Sequence, residues 1–298
     1  MSQFREPEFV SRQVAENRRY YLNLQPPQRS EITVVCGGCE RCGKDYVVRR
    51  SDFPFLAVEF VAEGEGHLTL NGREYRLRPG MAFCYGPGIP HLIRNDPGSP
   101  MLKYYVDFTG ATAERLLSES PLAGGQAVQV SNPQDISDIF EQLHRNSSTD
   151  SPFSPRLCAA LIPLLLLKIS ERAIPSGSVD TRALKSYRKA KSYLEKHFIQ
   201  VKTLEEAARA CHMDLSYLCR LFQRFDHLSA YQFLLRLKMN YAAELILDSG
   251  LMVKEVAARL EISDACNFSR SFKRVFGLSP EHFAQRGARG ISKSPPSP

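Results

Sequence analysis

Arg, Gln, Asn and small side chains recur on one face of each of two helical stretches, a combination suited to reading the edges of bases. The first set is Ser216, Cys219, Arg220, Gln223 and Arg224. The second is Ala265, Cys266, Asn267, Ser269, Arg270, Lys273 and Arg274. A guanidinium pairs bidentately with guanine, an Asn or Gln amide with adenine, and a small side chain touches a thymine methyl. Either set alone reads equally well as a solvated basic face; two sets with Arg at the same offset favour double-stranded DNA. A second group with chemical potential is Cys36-Gly-Gly-Cys39-Glu-Arg-Cys42. Thiolates two residues apart suit a tetrahedral metal or a thiol pair. A metal site would need a fourth ligand, from Cys84 or a His. The plainer expectation is tight turns at a sheet edge with reduced thiols.

The elements that must hold the two basic faces form an internal repeat, the first feature to look for in a chain. Residues 203–233 lie over 253–283 without a gap, with identities that include Glu205/Glu255, Ala207/Ala257, Asp214/Asp264, Arg220/Arg270 and Phe222/Phe272. Each copy predicts two short helices and a tight turn. Asp214 and Asp264 start the second helices, whose apolar positions are Leu218, Leu221, Phe222 and Phe225 in one copy and Phe268, Phe272 and Val275 in the other. That i, i+3, i+4 spacing separates an apolar face from a polar one. Paired alanines in each first helix allow close, steep packing. The outcome is helix-turn-helix geometry, with the second helix placed for a major groove.

Further residues extend the pattern: Arg236-Leu-Lys-Met-x-x-Ala242, Phe268-Ser-Arg-Ser-Phe-Lys-Arg and Phe276-Gly-Leu-Ser-Pro280. On these motifs the C-terminal third resembles the AraC/XylS family of bacterial transcription regulators. His227 stands where that family usually has Gly, Ala230 where it often has Pro, and Glu261-Ile262 where it has Gly-Phe.

The charge supports a division into two parts. The whole chain of 298 residues carries +7, yet residues 180–298 hold 20 Lys and Arg against 12 Asp and Glu, while residues 1–179 hold 19 against 20. Basicity confined to the repeat suits a polyanion there. Residues 1–30 are charged and lack the apolar core of a signal peptide, and 161–167 is too short to span a bilayer. The expectation is a cytoplasmic protein with no membrane partner, whose eight Cys are free thiols.

Residues 1–30 are expected to be an arm with little structure. From 31 to 109, short runs rich in β-branched and aromatic residues predict strands at 32–36, 46–49, 56–62, 67–70, 74–77, 81–85 and 102–107, with Asn71-Gly72 as the strongest hairpin signal. Such spacing predicts a small barrel or jelly roll. Period-2 alternation puts Lys103, Tyr105 and Asp107 on one face of the last strand.

Gly64-x-Gly66, Asn71-Gly72, Arg78-Pro-Gly80 and Pro87-Gly-Ile-Pro-His91 resemble the cupin-like sensor domain of sugar-responsive members of the same family. That resemblance implies ligand contacts at Arg49, His91, Ile93, Lys103 and Tyr105. The competing reading leaves these residues at the rim or paired with carboxylates such as Glu59. No His-x-His pair precedes His91, so neither metal nor other cofactor is expected. Helices are predicted at 111–120, 132–146, 154–173, 181–198 and 230–247. The stripe Leu157, Leu161, Leu164, Leu165 and Ile169 marks the third of the series for packing and, by the resemblance, for a homodimer contact.

The fold class expected is α+β multidomain: a cupin-like β-barrel with a helical pair, then an all-α double helix-turn-helix domain. The parts are an arm (1–30), a sensing and dimerisation domain (31–173), a linker (174–180), a DNA-binding domain (181–286) and a disordered tail (287–298). The function expected is a ligand-responsive, sequence-specific transcription regulator without enzymatic activity. Its partners would be double-stranded DNA, a small polar effector such as a sugar, a second copy of itself and, as a further candidate, RNA polymerase. Two rivals are a cupin metalloenzyme fused to a DNA-binding part, and a thiol or metal sensor using Cys36, Cys39 and Cys42.

Overall fold

A computed structural model describes residues 7, 9–27, 30–149, 151–174, 181–226, 228–248, 251–262 and 264–291, without the side chains of 181, 248 and 286–291. The chain divides into two compact units, Met1–Val179 and Asp180–Pro298. The expected linker beyond Ile174, position 227 and the tail beyond 291 lie outside the described residues.

The first unit contains strands β1 (Val14–Tyr21), β2 (Thr33–Cys42), β3 (Val47–Arg50), β4 (Leu56–Glu63), β5 (Gly66–Leu70), β6 (Arg73–Leu77), β7 (Met81–Tyr85), β8 (His91–Asn95), β9 (Leu102–Thr109) and β10 (Ala127–Gln129). Helices α1 (Ala111–Ser118), α2 (Pro133–Ser147) and α3 (Ser154–Arg172) accompany them. Asn71 and Gly72 both have positive φ, the geometry of the two-residue turn that joins β5 to β6. The strands form a six-stranded sheet, β1-β2-β9-β4-β7-β10, and a four-stranded sheet, β3-β8-β5-β6. The expected barrel is therefore realised as two facing sheets.

Alternation along each strand decides what each sheet face meets. Ala57, Val61, Phe83 and Tyr85 of the large sheet pack against Val48, Leu68, Leu70 and Ile93 of the small one. On the large sheet's other face, Val58, Phe60, Val106 and Phe108 pack against Phe140, Ile162, Leu165 and Ile169 of α2 and α3. The helical pair thus covers one side of the sandwich, as a one-sided apolar stripe requires.

Two stretches differ from their sequence reading. The polar N-terminal stretch contributes β1, which pairs along β2 from Val14↔Cys42 to Tyr21↔Cys36. An edge strand with one solvated face carries few apolar residues, which is why its sequence looks unstructured. The Cys-rich stretch, expected as turns at an edge, is a continuous strand between β1 and β9. Gly37 and Gly38 serve close approach here, since a Cβ on Gly38 would stand 2.5 Å from the Arg18 carbonyl oxygen.

The second unit is all helix: α4 (Thr181–His197), α5 (Leu204–Ala210), α6 (Leu215–Phe225), α7 (Ala230–Asp248), α8 (Val253–Arg259), α9 (Ala265–Phe276) and α10 (Pro280–Ile291). Helices α5–α6 and α8–α9 are the two repeat copies. Their register is not uniform. Thr203 with Glu206 forms the capping box of α5, and Glu255 takes the place of Glu206 in the first turn of α8, accepting from the Met252 N–H. The first helices are thus 49 positions apart and the second helices 50, so the second turn is one residue longer. His212 and Glu261 occupy matching positions and both have positive φ. The Glu found where the resembling family has Gly therefore sits at a left-handed position.

Gly38→Ala should push β1 off β2 and destabilise the first unit by about 1–3 kcal/mol. Denaturant unfolding followed by tyrosine fluorescence measures this; an unchanged midpoint would show that the close approach is not needed.

Candidate effector site and DNA interface

The interior between the sheets is charged where β1, β2, β4 and β9 lie side by side. Lys103, buried on β9, has its Nζ 2.9 Å from Glu59 Oε2 and 3.4 Å from Glu40 Oε2. Arg19 donates through Nε to Glu40 Oε1 at 3.0 Å and through Nη2 to the Ser11 carbonyl at 2.5 Å. Tyr85 donates to Glu59 Oε1 at 2.6 Å. Burial alone would lower the Lys103 pKa, but Glu59, then Tyr46 and Glu40, hold the ammonium well above its ordinary value. Lys103 also lies over the rings of Tyr46 and Tyr105, each 5.4 Å away. Ions taken from water are tolerated only when paired in this way.

Asp107 lies deeper in the same interior. It accepts from the Cys36 thiol at 3.2 Å, and burial pushes its carboxyl up to about 7. Arg50 enters from β3: its guanidinium donates to the Phe9 carbonyl and lies 5.0 Å over the Phe53 ring. His91 is buried, stacked on Tyr85 with ring centroids 3.8 Å apart. Its Nδ1 is 3.2 Å from the Ile89 carbonyl, which can only accept, so Nδ1 carries the proton. Burial lowers the pKa of this ring, leaving Nε2 as a neutral acceptor with no partner among the described residues. The Tyr105 hydroxyl is likewise buried and without a partner. Arg50, Tyr85, Lys103, Tyr105 and Asp107 border a cavity of only about 20 Å³, and Phe9, Val10 and Ser11 complete its wall.

The residues expected at the ligand separate accordingly. Lys103 and Tyr105 face the interior, His91 lies at its margin and Ile93 belongs to the apolar core beside it. Arg49 does not join them, because it stands on the exposed outer face of β3 and its neighbour Arg50 is the one that turns in. Sequence reasoning missed Arg19, Glu40 and Arg50. Arg19 fell in the stretch read as an arm, Glu40 in the stretch read as turns, and Arg50 lost to Arg49 by one residue of parity.

The three cysteines of β2 do not converge. Cys36 pairs with Asp107, Cys42 lies in the core between the sheets, and Cys39 faces the helical side near Arg18 and Tyr104. Burial pushes the Cys42 thiol up to about 12 and Cys36 higher still. Among the described residues no three metal-ligating side chains form a cluster. Six of the eight thiols are buried, leaving Cys219 half-buried and Cys266 exposed.

In the second unit, α6 and α9 each turn an aromatic face inward. Leu218, Leu221, Phe222 and Phe225 are buried on α6, as are Phe268 and Phe272 on α9. The opposite faces expose Ser216, Arg220, Gln223 and Arg224, and Cys266, Asn267, Arg270, Lys273 and Arg274. Cys219, Ala265 and Ser269 lie at their margins, half-buried. Arg220 lies 5.8 Å over Tyr217, and Arg270 is 4.0 Å from Asp264, which caps α9 by accepting from the Cys266 N–H. Both guanidiniums are exposed, and Arg270 also donates through Nε to the Cys266 carbonyl at 3.4 Å.

A charged interior in a sheet sandwich, carried on one chain with two helix-turn-helix units, defines a ligand-responsive DNA-binding regulator. Residues 38–166 match the family described as AraC-like ligand binding domain, and residues 207–286 match a helix-turn-helix domain family. The chain belongs to the AraC/XylS family of transcription regulators. It is 24% identical over 259 residues to the Msm operon regulatory protein of Streptococcus mutans, covering 85% of this chain and 92% of that protein. It is 25% identical over 262 residues to the raffinose operon transcriptional regulatory protein RafR of Pediococcus pentosaceus, covering 85% and 93%. With the MmsAB operon regulatory protein of Pseudomonas aeruginosa it shares 26% over 275 residues, covering 90% and 87%. No helix among the described residues is long and apolar enough to cross a membrane.

The raised Asp107 pKa means that the folded chain keeps a proton that the unfolded chain releases near its ordinary 3.8. Stability from this group therefore falls as pH rises from about 4 to about 7. Asp107→Asn should lose less stability than the wild type between pH 5 and pH 8, by at most about 1.4 kcal/mol per pH unit in that window. Scanning calorimetry of both proteins at the two pH values compares the slopes, and His91 cancels in the comparison. Equal slopes would mean that Asp107 ionises at no cost.

Proposed function

We propose that the interior of the first unit binds a small polar effector such as a sugar, and that occupancy alters how two copies of the chain are arranged on DNA. The observation that carries this reading is the collection of charged and unpartnered polar groups between the sheets, around Lys103, Tyr105 and His91. An ordinary sandwich core has no use for them. A relative that governs a raffinose operon supports a sugar. Functionally, residues 31–173 sense and dimerise and residues 181–286 read DNA. The chain has no catalytic role; it acts in the cytoplasm, with RNA polymerase as a further partner.

Dimerisation is assigned to α3. Its buried side holds Leu161, Leu165 and Ile169, while Leu157, Leu164 and Leu167 are exposed, preceded by exposed Phe153. The spacing 153, 157, 160, 164, 167 alternates four and three, the seam of paired helices. Leu164→Glu should convert dimers to monomers in sedimentation velocity at micromolar concentration; an unchanged dimer would place the contact elsewhere.

Base reading is assigned to α6 and α9. On a DNA fragment captured by the protein from genomic DNA, Arg220→Ala and Arg270→Ala should each cost about 1–3 kcal/mol at a guanine in one half of the site. Lys273→Ala should weaken all sequences alike. Fluorescence anisotropy with matched and mutated fragments separates the two behaviours, and wild-type binding by both Arg variants would remove these helices from the reading role.

A further inference from the structure

Of the three cations that the described residues place inside the sandwich, two are already spent. Arg19 is paired with Glu40, and Lys103 with Glu59 and Glu40. Arg50 is not: among the described residues no carboxylate lies within ion-pair distance of it, and it is held by the Phe9 carbonyl and the Phe53 ring. Asp107, which lines the same cavity as Arg50, directs an oxygen at the Cys36 thiol instead. With a carboxyl pushed up to about 7, Asp107 supplies only part of a negative charge near neutral pH. Among the described residues the interior is therefore short of an anion at Arg50.

Arg50 also marks an entrance. It borders both the small internal cavity and an open depression of about 470 Å³, where His91, Ser51 and Thr69 gather at the end of β3 and the start of β8. Two polar atoms near this path have no partner among the described residues, His91 Nε2, an acceptor, and the Tyr105 hydroxyl, a donor. The internal cavity has room for about one water, far below what a ligand occupies. The chain itself fills the remainder: carbonyls of Phe9 and Ser11 take the guanidinium donors of Arg50 and Arg19. Neutral backbone oxygens thus stand where a ligand's oxygens would be held more strongly if charged.

We propose that the effector is a polyhydroxy carboxylate of the sugar-acid class, whose carboxylate replaces the Phe9 carbonyl on Arg50 and whose hydroxyls reach His91 Nε2 and the Tyr105 hydroxyl. This rests on the reading of the interior as the effector site and narrows it to one charge class. A neutral sugar would satisfy the two unpartnered atoms but leave Arg50 without a counter-ion. A simple carboxylate would satisfy Arg50 and leave the other two unspent.

Calorimetric titration of the full chain with matched probes tests the assignment: galactose against galacturonate, glucose against glucuronate and gluconate, and acetate as the acid without hydroxyls. At least one sugar acid should bind tenfold or more tightly than its neutral counterpart and than acetate. Arg50→Gln should reduce that binding at least tenfold, whereas Arg50→Lys, which keeps the charge, should retain more of it. Thermal unfolding of each variant checks that the sandwich is intact. Neutral sugars binding as well as their acids, or acid binding indifferent to Arg50→Gln, would overturn the acid class and leave the sugar reading standing. Failure of all the sugars and acids to bind would overturn both.

Discussion

The ion cluster of Arg19, Glu40, Lys103 and Glu59 dictates how the first unit is put together. A Lys with 3% of its side chain exposed is unstable without opposite charges in contact. Those charges come from two neighbouring strands, Glu40 on β2 and Glu59 on β4, and Glu40 also pairs Arg19 of β1, so β1, β2 and β4 must stand in one register with β9. A slip of one residue would turn Lys103 toward the helices and leave Glu40 and Glu59 facing apolar side chains. A purely apolar interior would tolerate more arrangements. The cluster therefore contributes register as much as stability, while leaving polar groups that a ligand can reorganise.

Alternation gives the same strands a second task. Arg19 points into the interior, while Arg18 beside it pairs with Glu141 of α2 at 2.6 Å on the opposite face. On β9, Tyr105 faces the interior and Tyr104 donates to the same Glu141 at 2.8 Å. Glu141 thus joins the two strands that carry Arg19 and Lys103 to the helical pair. Any change in the interior that shifts β1 or β9 is felt at α2, and α2 packs along α3. That is a contiguous mechanical path, and its coupling energy is a matter for double-mutant cycles.

Much of this was legible in the chain. The repeat, its aromatic inward faces and the basic outward faces follow from spacing, and the alternation of Lys103, Tyr105 and Asp107 on β9 is as the sequence required. What escaped shares a physical cause. β1 is an edge strand whose exposed residues imitate a disordered arm. Gly37-Gly38 reads as a turn, although the glycines admit the backbone of β1. Arg49 and Arg50 differ only in which face of β3 they occupy, and the direction of a short strand is set by its partner β8. The gapless repeat concealed an extra residue in the second turn because Glu-Glu and Ala-Ala pairs in the first helices let the shifted register match, with more identities than the register the helices adopt.

The distribution of thiols has a practical consequence for studying the molecule. Reaction with a maleimide or an iodoacetamide requires a thiolate that the reagent can reach. Burial withholds six of the eight, on β2, β7, α3 and the first helix-turn-helix turn. The remaining two, Cys219 and Cys266, lie one on each of the helices that face outward from the repeat. The native chain thus comes with a dye-attachment position on each of those helices, graded by exposure so that Cys266 takes label first. Fluorophores placed there would observe the two helices separately, with no engineered cysteine and no disturbance of the sandwich.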